Sequence, residues 1–121
     1  MKLLLASKSA ARKHMLEAAG VPFEAVDAPF VEEEVKARLD MRNAAEVAAS
    51  LAQAKALSVD AASDDLVLGS DQTLERSDGS ILHKAETREE LADQLRSLSG
   101  SAHRLHSSAA IVEEGHMIWS A

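Results

Sequence analysis

The sequence predicts an α/β or α+β domain, because segments with the apolar spacing of strands alternate with segments of helical spacing. The predicted order is strand, helix, strand, helix, two strands, helix and two strands. The chain has 121 residues, of which 46% are hydrophobic, and a chain of this size buries one modest core. We therefore expect a single domain over residues 1–121.

The beginning of the chain predicts a strand, a short loop, a helix and a second strand. Residues 3–6 form a short apolar run that is typical of a strand. Ser9 suits the N-cap of a helix whose apolar spacing continues to Ala18, and Gly20 suits its end. Residues 21–28 place apolar side chains at alternate positions, which indicates the second strand.

An acidic segment and an alanine-rich helix follow. The three glutamates at positions 32–34 stand near the start of a segment that runs to residue 42, where negative charge suits the dipole of a helix. Asn43, followed three residues later by Glu46, resembles a capping box. These signals predict a helix over residues 44–57 with Val47 and Leu51 on its buried stripe, together with Ala54.

Lys55 falls at the edge of that apolar stripe, because it follows Leu51 by four residues. A lysine in this position either reaches into a cleft or extends its ammonium group past the core to solvent. Helical spacing alone leaves both alternatives open.

The next segment predicts a buried strand and a β-hairpin. Residues 66–70 form an apolar run that ends at Asp71. Residues 73–76 and 81–84 flank a turn whose central Asp-Gly pair is a strong hairpin signal. A helix over residues 88–98 and strands over residues 102–112 and 116–120 complete the predicted order.

The predicted hairpin also brings three reactive groups together. If Asp78 and Gly79 form a two-residue turn, Thr73 lies opposite Lys84. Asp71 then lies two residues further along the same face of the sheet. This register would unite a carboxylate, a hydroxyl and an ammonium group, although a surface salt bridge explains the same residues.

Positive charge is concentrated at the start of the first helix, in the stretch ASKSAARKH. Lys8, Arg12 and Lys13 should destabilise that end, because the first N–H groups of a helix already make it electropositive. A phosphate ligand would remove the conflict, since helix N-termini and basic side chains bind phosphate together. A solvated basic turn is the alternative interpretation.

Whole-chain composition narrows the class of protein. A formal net charge of −7 argues against nucleic acid or an anionic membrane as the main partner. The chain has no cysteine, which excludes disulfides and thiolate metal sites. No segment is long and apolar enough to span a membrane. We therefore expect a soluble cytoplasmic protein.

The scattered histidines show no metal-ligand spacing.

Several motifs occur in an order that resembles the Maf-like nucleotide pyrophosphatases. They are LLLASKSAARKHMLEAAGVPFE, an acidic segment, LAQAKA, LGSDQT with DGSILHKA, and LRSLSGSAHRLHSS. The resemblance covers nearly all of the chain. It implies an inosine-triphosphatase-like mixed twisted sheet flanked by helices. Family members usually carry a further C-terminal portion, so the resemblance implies that this domain is incomplete at its C-terminus.

The resemblance implies hydrolysis of a nucleoside triphosphate between its α and β phosphates, which yields a nucleoside monophosphate and pyrophosphate. By position in the family motifs, Ser7, Arg12, Lys55 and Lys84 are implied to bind the substrate phosphates. Such basic groups would stabilise the charge that develops on the departing pyrophosphate.

The same resemblance implies the acidic chemistry. Asp71 matches the catalytic acid of the family, and Glu33 matches the glutamate of its Val-Asp-Glu segment. Asp71 is implied either to bind a divalent cation or to orient and deprotonate the attacking water, with Glu33 assisting it. The implied cation, held by Asp71 and Glu33, is Mg²⁺ or another divalent cation, which suits oxygen ligands and would bridge the phosphates. A homodimer is a further expectation from the family.

The chain also departs from the family pattern. Ala11 stands where the family usually has the first of two arginines, and His83-Lys84-Ala85 replaces Gly-Lys-Pro. The late Thr-Gly appears as Ser107-Ser108. The sequence GSDQ around Asp71 resembles the branch that prefers 7-methylated guanosine triphosphate. The departures leave a second hypothesis, a non-catalytic nucleotide-binding regulator of septum formation and cell division.

Overall fold

A computed structural model describes residues Met1–Ala121 and contains one six-stranded sheet with four helices. The predicted mixed sheet flanked by helices is therefore confirmed. In chain order the elements are β1 (Leu3–Ala6), α1 (Ala10–Ala18), β2 (Glu24–Val26), α2 (Glu32–Lys36), α3 (Ala44–Ser58), β3 (Leu66–Arg76), β4 (Ile81–Leu82), α4 (Arg88–Leu98), β5 (His103–Glu113) and β6 (His116–Ser120). No helix combines the length and the apolar character that a membrane span requires.

The sheet is parallel on one side and antiparallel on the other. Its strands run in the order β2-β1-β3-β5-β6, and β4 pairs with the far end of β3. β1 is parallel to both β2 and β3, whereas β3 and β5 are antiparallel, as are β5 and β6. β3 is therefore the strand at which the two kinds of pairing meet.

β3 is longer than the sequence predicts. The expected strand ending at Asp71 and the expected hairpin strand over residues 73–76 form one strand of 11 residues. The reason is that β5 pairs with β3 along its whole length, from Leu66 opposite Glu113 to Arg76 opposite His103. Asp71 consequently lies in the middle of a strand.

The predicted hairpin register is wrong by one residue. The structure pairs Leu74 with Leu82, so Thr73 does not lie opposite Lys84. A shift of one residue turns every side chain of a strand to the other face. The prediction that this register brings Asp71 and Lys84 onto one face therefore fails, and Lys84 lies beyond the end of β4.

A three-residue loop causes this shift. The N–H group of Arg76 donates to the carbonyl of Ser80 at 2.8 Å, which closes the loop around residues 77–79. Gly79 has a φ of 88°, the left-handed conformation that such loops require at their last position. The hydroxyl and the N–H group of Ser80 donate to Asp78 at 2.6 and 2.9 Å, and these bonds lower the pKa of the Asp78 carboxyl.

α3 covers one face of β3 and β5 and supplies half of the buried hydrophobic residues. Its predicted capping is confirmed, because the side chain of Asn43 accepts from the N–H group of Glu46 at 3.1 Å. Val47 and Leu51 are buried as predicted, but Ala54 is only half-buried. The other buried residues of the helix are all alanines, at positions 44, 48, 52 and 56. Such small side chains allow the helix to lie close to the sheet.

Other elements are shorter or less buried than their patterns predict. β2 covers three residues instead of the predicted 21–28, and α2 ends at Lys36. α4 has the predicted Thr87 cap, whose hydroxyl accepts from the N–H group of Glu90 at 3.1 Å. However, Leu91 and Leu95 on its apolar side are 49% and 60% exposed. α4 therefore contributes little to the core.

Replacing Gly69 by alanine tests the close packing of α3 on β3. A Cβ atom at Gly69 would overlap the carbonyl oxygen of Ala52 and lie 2.7 Å from the backbone nitrogen of Ala56. Because both neighbours are backbone atoms, the helix would have to move, and we expect Gly69→Ala to lower the free energy of unfolding by about 3 kcal/mol. Urea denaturation measures this loss. Gly20→Asn is the control, since its position is open and asparagine tolerates positive φ. Equal losses in the two variants would contradict the packing argument.

Candidate active site

The six residues that the sequence singles out lie in two adjoining pockets between α1, α2, α3 and the loop after β4. The larger pocket, of about 730 Å³, is lined by Arg12, Glu33, Lys55, Asp71 and Lys84. The smaller pocket, of about 370 Å³, adds Ser7 and shares the three basic residues of that set. We call the two pockets together the cleft.

The loop between β1 and α1 forms one wall of the cleft. Ser7 is buried, and its hydroxyl oxygen accepts from the N–H group of Ser9 at 3.0 Å and from the guanidinium of Arg12 at 3.3 Å. Ser9 in turn caps α1, because its side chain accepts from the N–H group of Arg12 at 3.3 Å. These bonds fix the loop and hold the basic side chain of Arg12 at the start of the helix.

Lys55 and Asp71 form an ion pair inside the cleft. The Nζ atom of Lys55 lies 2.9 Å from Oδ1 of Asp71 and 3.4 Å from the carbonyl oxygen of Ser70. The two side chains are only 15% and 12% exposed. Alternation along β3 turns Asp71 toward α3, on the same face as Gly69. Of the two alternatives for Lys55, the structure therefore shows the one in which the ammonium group reaches into the cleft.

Lys84 reaches the cleft from the loop that follows β4. It lines both pockets, and its side chain takes part in none of the ion pairs of the structure. Arg12 likewise bonds only to a hydroxyl. The cleft thus holds two cationic groups that form no ion pair, although Glu33 and Glu86 line the same pocket. An anion would supply the missing partner.

Four carboxylates line the larger pocket, those of Glu32, Glu33, Asp71 and Glu86. Asp71 and Glu33 are the two that the family motifs imply as ligands of a hard divalent cation. No three acidic or histidine side chains converge closely enough to hold a metal ion by themselves. Mg²⁺ commonly uses one or two carboxylates and takes its other ligands from substrate phosphates and water. The donor set of the cleft fits that mode of binding and does not fit an all-protein metal cage.

Lys36, Met41 and Ile81 are among the residues that line the cleft but that the sequence did not assign to the site. Lys36 lies three residues after Glu33 on α2 and pairs with Glu32 at 3.4 Å, and this spacing could have placed Lys36 beside Glu33. Met41 and Ile81 also line the larger pocket. No local pattern indicates them, because one lies in a loop and the other in a two-residue strand.

The architecture resembles that of solved inosine-triphosphatase-type structures. The structure of a HAM1 protein from Coxiella burnetii superposes with a TM-score of 0.60 and covers 100% of this chain and 68% of that chain, at 13% sequence identity. At that identity the likeness shows the fold alone. The domain therefore has a HAM1-like α/β fold, and its cleft is lined by the basic side chains of Arg12, Lys55 and Lys84.

The chain belongs to the Maf-like protein family, whose model matches residues 2–121. A relative from Sphingopyxis alaskensis named nucleoside triphosphate pyrophosphatase is 43% identical over 100% of this chain and 63% of its own length. A relative of the same name from Rhodopseudomonas palustris is 42% identical over 98% of this chain and 58% of its own. A relative from Rhizobium johnstonii named 7-methyl-GTP pyrophosphatase is 41% identical over 98% of this chain and 60% of its own length. The chain therefore spans about three fifths of the length of these relatives.

A double-mutant cycle tests the energetic coupling of Lys55 and Asp71. Removing one partner of a nearly buried ion pair leaves the other charge unpaired, so we expect Lys55→Met and Asp71→Asn each to lower the free energy of unfolding by about 3 kcal/mol. The double variant should lose clearly less free energy of unfolding than the two single variants lose together, because it leaves no uncompensated charge. Urea denaturation of the four proteins measures the coupling. Additive losses would mean that the pair contributes no specific stabilisation.

Proposed function

We propose that the chain supplies the phosphate-binding and catalytic part of a nucleoside triphosphate pyrophosphatase. The reaction hydrolyses the bond between the α and β phosphates and releases a nucleoside monophosphate and pyrophosphate. The observation that carries the proposal is the nearly buried pair of Asp71 and Lys55 in a cleft that also holds Arg12 and Lys84. The names of relatives at about 40% identity support the same activity.

The triphosphate would lie against the basic end of the cleft. Ser7 and the N-terminus of α1 offer hydrogen-bond donors, and Arg12 and Lys84 offer positive charges that form no ion pair within the protein. As the bond to the leaving group breaks, negative charge accumulates on the pyrophosphate. Fixed cations stabilise that charge without reorganisation, which is their contribution to the rate.

Asp71 would act on the attacking water. A carboxylate on a rigid strand holds a water molecule in one orientation and accepts a proton as oxygen attacks phosphorus. Asp71 lies in the middle of β3 opposite Ser108 of β5, and this pairing keeps its backbone fixed relative to the phosphates. Glu33 would assist from α2, across the same pocket.

Asp71 and Glu33 would also hold Mg²⁺ or another divalent cation. When bound, such a cation polarises phosphoryl oxygens and neutralises part of their charge. The residues of the chain supply two carboxylates for it, and the substrate supplies the other ligands.

The nucleoside would extend toward the apolar end of the cleft. Met41 and Ile81 line the larger pocket and also a neighbouring pocket of about 530 Å³ at the hairpin. A base and a sugar suit such a wall better than phosphates do. The substrate class includes modified bases such as 7-methylguanine, a choice supported by the GSDQ motif and by the relatives named 7-methyl-GTP pyrophosphatase. A role in removing modified nucleotides from the precursor pool would be exercised in the cytoplasm. The cytoplasmic location and a homodimer both stay predictions.

Replacing Asp71 by asparagine tests the catalytic role. Because asparagine cannot accept the proton of the attacking water, we expect pyrophosphate release to fall by at least about 100-fold. The assay uses Mg²⁺ and a panel of canonical and 7-methylated nucleoside triphosphates, with circular dichroism to verify the fold. Asp93→Asn, at an exposed position of α4 outside the cleft, is the matched control and should keep full activity. Undiminished release by Asp71→Asn would refute the role, and nucleotide binding without turnover in the unaltered chain would favour the regulatory hypothesis.

Replacing Lys84 by glutamine tests the phosphate site. Loss of one charged hydrogen bond to the substrate should raise the KM for the nucleotide about tenfold. Lys2→Gln removes the same charge at the opposite end of β1 and should leave KM unchanged. An equal change in both variants would mean that Lys84 acts only through net charge.

A further inference from the structure

The ion pair in the cleft places an ammonium group beside the Asp71 carboxylate, where a cation would have to approach. Its Oδ1 atom accepts from the Lys55 ammonium at 2.9 Å, and both side chains are almost completely enclosed. A divalent cation at this carboxylate would therefore sit within a few ångströms of a fixed ammonium group. Repulsion between like charges at that distance is strong in a site with little water.

No carboxylate other than Asp71 lies within ion-pair distance of Lys55. Its only other acceptor is the carbonyl oxygen of Ser70, at 3.4 Å. The two pockets of the cleft share Lys55, so its ammonium group also borders the loop of Ser7 and Ser9. An anion bound at that loop would give Lys55 a new partner and release the carboxylate.

We propose that Lys55 is a positioning residue that keeps divalent cations away from Asp71 until substrate phosphates arrive. The proposal rests on the proposed function in taking the cleft as the triphosphate site. Phosphates draw the Lys55 ammonium group away, and Asp71 then becomes a ligand that the incoming cation shares with Glu33 and the phosphates. The cation and the nucleotide consequently bind in strong mutual dependence, and a cation alone binds weakly.

Manganese binding without nucleotide tests the first half of this proposal. Electron paramagnetic resonance of free Mn²⁺ gives its affinity for the unaltered chain, and we expect Lys55→Met to bind it at least tenfold more tightly. Lys55→Met combined with Asp71→Asn should lose that gain, because the freed carboxylate is the ligand. Lys84→Met removes an equal charge from the same cleft, and its affinity for Mn²⁺ should rise less than threefold. Equal gains in the two lysine variants, or no gain in Lys55→Met, would overturn the proposal.

A measurement on the unaltered chain tests the second half and does not depend on the folding of any variant. Water-proton relaxation distinguishes Mn²⁺ bound to the protein from Mn²⁺ bound to free nucleotide. We expect an α,β-methylene nucleoside triphosphate, which resists hydrolysis, to raise the affinity of the protein for Mn²⁺ at least tenfold. Equal affinity with and without it would overturn the proposal. Failure of the proposed function is a separate result, since it would appear as absent pyrophosphate release while these metal affinities still behaved as expected.

Discussion

The close approach of α3 to β3 is the constraint on which the rest of the molecule depends. Gly69 has no side chain at the point where the two backbones meet, and the helix presents alanines there. Any larger residue would push the helix outward, because proteins pack at the density of organic crystals. The same contact determines where along β3 the side chain of Lys55 lies. The packing of Gly69 against the alanines of α3 therefore also positions the Lys55 ammonium group.

Three contacts along α3 occur in the order that an antiparallel alignment on β3 requires. Ala56 packs against Gly69, Lys55 bonds to Asp71, and near the start of the helix the carbonyl of Ala44 accepts from the buried Thr73 hydroxyl at 2.7 Å. The first is steric, the second ionic and the third a hydrogen bond. Because all three demand the same alignment, the helix has little freedom to slide, and the cleft is rigid on this side.

The sequence was sufficient for elements whose signals are local. The caps at Ser9, Asn43 and Thr87 are found where residue type and spacing predict them. The hairpin register was not predictable in the same way, since an Asp-Gly pair suits both a two-residue turn and a three-residue loop. Likewise, helical spacing could not decide the direction of Lys55, because its partner is supplied by a strand 16 residues further along the chain.

Alternation along β3 also determines where this chain tolerates a change of length. Asp71 and Thr73 face α3 together with Gly69, whereas the residues between them face the other side of the sheet. One inserted residue between Gly69 and Asp71 would carry the carboxylate to the opposite side and away from its ammonium partner. Insertions at residues 77–79 would lengthen only an exposed loop. Relatives with functional clefts should therefore vary in length at the hairpin tip and keep a constant length along β3.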